Sequence, residues 1–275
     1  MKYPFLLAAF CLIMTFLGAQ SDANEKMTIG IIPFIGSSQC GSNVAGQVYS
    51  TAYVEFVNSG RANFVEREDF TQLEVEKLVQ AGEGVDVSSI INFDRSQGAT
   101  YIIVGRISRC DATRKYNKTS GTNYYEGNVQ ALVKVIEVET GLIHKADLWG
   151  SQSGIMGLFK SGRGDTADDA LANAAGSCKK SAQNFIRSLI RLDGKILEMK
   201  DNKEAYISLG SAHGIKKGDK IFAYVVKTIA GRRTEEKLGE LKVTEVNGED
   251  ICTAKIMNAK AFANIDYQAL SLRTK

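Results

Sequence analysis

The chain of 275 residues carries 34 lysines and arginines against 31 aspartates and glutamates, a formal net charge of +3. That near balance excludes a partner recognised by bulk charge alone, such as a nucleic acid held through its phosphates. With 44% apolar residues and two prolines, the composition also excludes a disordered polypeptide and leaves material for one large or two modest cores.

At the N-terminus, Lys2 precedes an apolar run from Pro4 to Gly18 and a small-residue zone ending at Ala23, the layout of a secretory signal. The run is about 15 residues, short of the roughly 20 that a helix needs to cross a bilayer. Residues 1–23 are therefore expected to be a signal peptide, cleaved after Ala23 or Ala19, that sends the protein to the periplasm. Cys11 lies inside the apolar run behind the bulky Phe10, so no lipid anchor is expected there. Export leaves Cys40, Cys110, Cys178 and Cys252 in an oxidising compartment where disulfides persist. Their wide spacing matches no CxxC metal or redox motif, and neither a metal nor another cofactor is expected.

Met27 to Phe34 (MTIGIIPF) is a continuous apolar run ending at a proline, as a buried central strand reads. The Gly/Ser segment that follows leads into Val44, Val48, Ala52 and Phe56, a helical face closed by Asn58-Ser59-Gly60. Ala62 to Glu66 predicts a second strand, and Asp69 an N-cap for a helix carrying Phe70, Leu73 and Leu78. A short helix is expected over Val87 to Ser96 and a third buried strand over Ala99 to Ile107, an order that predicts an α/β sheet with parallel pairing.

After a polar, tyrosine-containing segment from Asp111 to Gly127, Asn128 to Val138 predicts a long strand. Its hairpin partner is Leu142 to Gly150, across a turn at Glu139-Thr140-Gly141. Ser151 to Asp165 is glycine-rich and loop-like. Thr166 is placed to cap a helix through Asp169, and the stripe Leu171, Ala174, Ala175, Cys178, Ala182, Phe185, Ile186, Leu189 gives that helix one apolar face for the sheet. Beyond Asp193-Gly194 the texture changes to short β runs (Lys195 to Met199, Ala205 to Leu209, Lys220 to Lys227, Glu240 to Val246, Ile251 to Ile256) separated by glycine and asparagine turns, among them Asp201-Asn202. Two units are thus expected, an α/β domain over 27–192 and a small β-rich domain over 193–275.

Several pieces, in order, resemble the CsgG family, which includes the curli secretion channel of the outer membrane. They are IGIIPF (Ile29 to Phe34), FVERED (Phe64 to Asp69), ATYIIVGRI (Ala99 to Ile107), VQALVKVIEVETG (Val129 to Gly141) and the alanine-rich helix after Thr166. The tail, from GKILEMKDNKEAYISLG at Gly194 through LGELKVTEVNGEDICTAKI, is similar to the C-terminal domain of the flagellar assembly protein T. The resemblance implies a sheet flanked by helices in a three-layer-like arrangement, work through protein–protein contacts, and homo-oligomers such as rings. It also implies two membrane-spanning hairpins, between Arg109 and Val129 and between Ile143 and Ala167. Each spanning strand needs about 9–11 residues with an apolar outer face. Cys110 to Gly127 (CDATRKYNKTSGTNYYEG) offers charges and hydroxyls instead and can form only an aqueous hairpin or loop, and the second segment is too short and polar. The expectation is accordingly a periplasmic assembly or transport accessory protein without membrane insertion. A secretion-channel subunit and an activator of a peptidoglycan synthase are the alternatives.

Catalytic chemistry finds little support in the residues. His144 and His213 have no carboxylate or cysteine cluster beside them in sequence, and the strand–loop–helix segment GSSQCGSNVAG lacks the Gly-Lys-Ser/Thr ending of a phosphate-binding loop. Cys40 sits in that loop at a helix start, with no histidine base nearby in sequence. If the first and third strands lie side by side and parallel, their ends bring Cys40 and Cys110 within bridging reach, and a disulfide between them is expected. Cys178 reads as a buried thiol on the helix stripe, and Cys252 as an inward strand position. Arg163-Gly164-Asp165 and Asn117-Lys118-Thr119 are tripeptides of the kind chance produces. Tyr116, Tyr124 and Tyr125, with Arg114 and Lys115, form the candidate partner contact.

Overall fold

The computed structural model describes residues 26–36, 40, 42–67, 72–80, 98–150, 162–200, 203–263 and 265–274. The expected leader, the Asp69 cap, the short helix expected from Val87, most of the loop around Cys40, the segment 151–161 and the turn at Asp201-Asn202 lie outside the described residues.

Two sheets share the chain. In the first, β1 (Thr28–Ile31) lies between β2 (Asn63–Glu66) and β3 (Tyr101–Asn117), parallel to both. β3 pairs antiparallel with β4 (Thr122–Glu137), which pairs antiparallel with β5 (Ile143–Gly150) and, further out, with the short β6 (Gly162–Gly164). Helices α1 (Ser42–Val57), α3 (Ala167–Gly176) and α4 (Cys178–Leu189) cover one face, and α2 (Gln72–Val79) covers part of the other. Both faces of β3 are therefore buried: Ile103 and Ile107 join the core under α1, while Ile102 and Val104 join the core under α2. This is why the strand reads as an unbroken apolar run rather than an alternating one.

The expected helix after Thr166 is two helices. Thr166 Oγ1 accepts the Asp169 N–H at 3.1 Å, the cap expected from the sequence, and the stripe from Ala174 to Ile186 is buried as expected. Gly176 and Ser177 interrupt the run, and the Ser177 hydroxyl donates to the Ala174 carbonyl at 2.6 Å. The core beneath is aromatic. Trp149 from β5 lies with its ring 6.0 Å from Phe34, 5.9 Å from Phe56 and 5.2 Å from Phe185. Its indole N–H is buried with no acceptor among the described residues.

A glycine floor fixes where α3 lies. A Cβ added to Gly127, Gly162 or Gly164 would stand 2.4, 2.2 and 2.5 Å from backbone atoms of Ala170, so α3 rests with its main chain directly on β4 and β6. The Asn173 side-chain amide also donates to the Arg163 carbonyl at 2.7 Å. What reads in sequence as a glycine-rich loop is, over Gly162–Gly164, a strand paired to β4.

The second sheet runs β7 (Asp193–Gly194), β13 (Leu270–Thr274), β10 (Lys220–Ile229), β11 (Arg232–Val246), β12 (Cys252–Ile256), β9 (Glu204–Ile207), β8 (Ile196–Lys200). Because β7 and β8 are separated by Lys195 alone, the first and last strands of that order are almost one strand, and the sheet nearly closes on itself around its own core. Cys252 points inward as expected, and burial, with the charge of Asp219, pushes its thiol up to about 12; burial does the same for Cys178. At the β10–β11 turn Ala230 has φ 50°, a left-handed conformation that costs an L side chain.

Three stability measurements follow. Trp149→Ala costs about 3–5 kcal/mol of unfolding free energy by urea denaturation followed by circular dichroism, whereas Trp149→Phe costs far less because it removes an unpaired N–H with the volume. Gly162→Ala costs about 1–3 kcal/mol by overpacking, while Gly46→Ala, a helical site where an added Cβ meets nothing within 4 Å, gains up to about 1 kcal/mol. Ala230→Gly raises stability by about 1 kcal/mol, read as a shift of the urea midpoint.

Candidate protein-interaction site

The polar segment from Asp111 to Gly127 is not a loop but the outer half of the β3–β4 hairpin, whose strands pair without interruption from Arg109↔Gln130 to Asn117↔Thr122. The last core pair, Cys110↔Val129, lies seven residues from Asn117, so the hairpin runs about 23 Å beyond it at ~3.3 Å per residue. Asn117 closes the turn: its Oδ1 accepts the N–H of Thr119 at 3.0 Å, and its carbonyl accepts that of Gly121 at 2.9 Å. The Asn117-Lys118-Thr119 tripeptide is thus a turn device.

A register shift between Ile107 and Arg109 sets which side chains face which way. Ser108 is the extra residue of this bulge, and the two-residue alternation restarts after it. Ile107 and Cys110 consequently share the helix-covered face, and Arg109 turns to the other. Without the bulge a guanidinium would point at the core under α3. At the hairpin base Asp111 accepts from Arg109 Nε at 2.6 Å and from Asn128 Nδ2 at 3.1 Å, tying the strands together. Partial burial pushes this carboxyl up, but those hydrogen bonds and the charge of Arg109 outweigh it and hold the group below its usual range.

The three tyrosines of the candidate contact lie on one hairpin but on two faces. Tyr125 is paired with Arg114 and shares a face with Tyr116, which is 61% exposed. Tyr124 is paired with Lys115 on the opposite face. Neighbouring residues in a strand point in opposite directions, so Tyr124 and Tyr125 were never able to sit side by side. Each face instead presents a tyrosine directly across from a basic residue. Arg163 on β6 completes the second face, with its guanidinium 5.0 Å over the Tyr124 ring. No local pattern ties Arg163 to Tyr124; only the β4–β6 pairing brings them together.

The other expected site residues are placed as follows. Cys40 is buried and Cys110 half-buried against the same core, and both are thiols: the expected bridge is not formed in the structure. Cys40 is 2% exposed. His144 stacks its ring 4.9 Å from that of Tyr101, and His213 Nδ1 accepts the Gly210 N–H at 3.2 Å within a short turn. A groove of about 730 Å³ between α1 and α3, lined by Asn43, Gln47, Ser50 and Thr51, contains no ionisable side chain. Among the described residues no helix is long and apolar enough to cross a membrane.

No family model matches the chain, and no curated protein matches it. Among solved structures it is similar to the PelC dodecamer from Paraburkholderia phytofirmans, at 12% identity and a TM-score of 0.35, over 58% of this chain and 86% of that one. It is similar to lipoprotein GNA1162 from Neisseria meningitidis at 11% identity and a TM-score of 0.28, over 44% of this chain and 79% of that one. The LpoB C-terminal domain from Salmonella enterica matches at 15% identity and a TM-score of 0.25, over 47% of this chain and 85% of that one.

Proposed function

We propose that this chain is an exported, non-enzymatic accessory protein of the cell envelope, of the CsgG kind, that works by protein–protein contact through the β3–β4 hairpin. One observation carries the reading: a long hairpin, held by β6 and the glycine floor, presents paired tyrosine and basic side chains to water on both faces. Rigid aromatic and arginine side chains are the groups that contribute most to protein interfaces, because they bury much area for little lost conformational freedom. Residues 113–126 carry Arg114, Lys115 and Lys118 against Glu126, so the partner surface that fits is acidic, and the contact weakens as salt rises.

Charge on both faces also favours a hairpin that stays in water. Arg114 lies on one face and Lys115 on the other, and either would cost about 2–4 kcal/mol facing the bilayer midplane. Export rests on the N-terminal pattern and the family reading on the ordered sequence pieces. In this reading the protein resides in the periplasm, with other envelope proteins or its own copies as partners.

The test is a Tyr116→Ala/Tyr125→Ala double variant beside the parent, each carrying a photo-crosslinking residue at position 114 and expressed in the envelope of a bacterial host. The parent yields a specific adduct, released with the protein by osmotic shock. The variant loses the adduct by tenfold or more, while its unfolding free energy in urea changes by less than about 0.5 kcal/mol because the side chains are outside the core. Recovery of the parent only in detergent, as a large oligomer, would overturn the water-exposed hairpin. Equal adduct yield from parent and variant would remove the tyrosines from the contact.

A further inference from the structure

Arg61 is the buried cation at the junction of the two sheets. It is 5% exposed and follows Gly60 at the end of α1. Its Nη1 alone is satisfied, donating to the carbonyls of Ile190 at 2.7 Å and Arg187 at 3.2 Å and to Thr274 Oγ1 at 3.3 Å. Those acceptors are the end of α4 and the last described residue of β13. Among the described residues, Nε and Nη2 have no hydrogen-bond partner and no carboxylate pairs with the guanidinium. These two nitrogens form the edge of a guanidinium that binds two oxygens of one oxyanion side by side.

Arg61 lines a pocket of about 40 Å³ together with Glu55, Asn58, Ser59, Gly214 and Lys216, and since neither unpaired nitrogen is fully buried, that edge reaches open space. A cavity needs about 10–15 Å³ on this measure to hold one water, so there is room for a single small polyatomic ion. The pocket is shaped by close backbone approach. Gly60 and Gly214 both have positive φ, and a Cβ on Gly214 would stand 1.6 Å from the Ser59 carbonyl oxygen. The lining charge is positive. Three cations (Arg61, Arg187, Lys216) line the pocket with one carboxylate, Glu55, which Lys179 holds at 3.0 Å and Gln183 at 2.6 Å, while Asp219 beside it pairs with Arg187 at 3.4 Å. Burial, with the nearby charge of Arg187, pushes Arg61 down to about 10 against the pull of Asp219, as expected of a cation without a close counter-charge.

We propose that this pocket binds one free tetrahedral oxyanion, phosphate or sulfate, on the Nε/Nη2 edge of Arg61, with Lys216 on its rim, and that the bound ion locks the two sheets together. The site is independent of the hairpin reading. It joins a group from the first sheet's helices to a loop of the second, so an ion held there favours the docked arrangement.

Thermal unfolding of the full chain, followed by circular dichroism, tests this in phosphate from 0 to 20 mM with sodium gluconate holding ionic strength constant. The midpoint rises saturably, by about 3 °C or more at saturation, and sulfate substitutes for phosphate. Lys216→Gln, whose side chain has no hydrogen bond or ion pair among the described residues and loses only a weak attraction to Glu55, moves the phosphate-free midpoint little and raises the apparent dissociation constant several-fold. Arg61→Lys, which lacks the paired edge, abolishes the response; should that variant not fold, Lys216→Gln decides the matter. An identical rise with chloride at equal ionic strength, or identical phosphate titrations for parent and Lys216→Gln, would overturn the proposal.

Discussion

The contact of α3 with the glycine floor of β4 and β6 is the constraint on which the rest of the molecule hangs. Three positions without side chains let a helix backbone reach the sheet at distances no Cβ would tolerate. With α3 set, Ser177 passes the chain into α4 at a fixed angle, and α4 then carries Phe185 onto Trp149 to close the aromatic core. The end of α4 in turn delivers the carbonyls of Arg187 and Ile190 to Arg61. One local feature, the absence of methyl groups, therefore propagates through the helix pair to the junction with the second sheet. The same floor braces the outer half of the β3–β4 hairpin, so core packing and presentation of the hairpin are not separable.

Much of this was legible in the residues, and the exceptions have physical reasons. The runs at Ile29 and Tyr101 announced central strands because both of their faces are buried. Thr166 with Asp169 announced a helix start because the cap uses only local atoms. An aqueous hairpin and a loop stayed equally open for Cys110 to Gly127 because Thr113 to Asn123 pairs only with itself, in water, and polar residues carry no periodic signal when neither face is buried. The bulge at Ser108 was equally silent, yet it decides that Cys110 rather than Arg109 faces the helices. Which of Tyr116, Tyr124 and Tyr125 share a face could not be read without a strand assignment, since a loop has no parity and a strand does. β13 escaped notice because its pairing partners, β10 and β7, are distant in sequence. Arg61 could not be read at all: its acceptors lie 126 to 213 residues away.

The junction shows a division of labour between apolar and polar contact. Each sheet has its own core, and the half-buried Leu192 packs against both. What orients one unit on the other is directional: the Arg61 bonds, the Gly60–Gly214 approach, the Arg187–Asp219 pair, and the bonds of Thr274 to Leu192. Hydrogen bonds of this kind add only about 1 kcal/mol each to net stability but are costly to leave unmade once buried. They therefore select a single docking geometry more than they strengthen it. Among the described residues the Arg61 guanidinium spends one nitrogen on three acceptors and leaves two without a protein partner, which is the arrangement the proposed ion would complete.

Under the proposed reading, function has to be argued from surfaces. A strand that spans a membrane must give one whole face to hydrocarbon. Here the alternation offers no such face, because it points Arg114 and Tyr116 one way and Lys115 and Tyr124 the other. In the proposed reading, a hairpin with tyrosine and basic side chains on both sides and braced at its base suits a surface that another protein grips from two directions. The tyrosines give such a partner flat apolar area, and the basic residues opposite them set its charge. Stiffness matters as much as composition: a hairpin ordered before binding has less conformational entropy to lose on contact than a loop of the same sequence, and that order is what the three glycines beneath α3 provide.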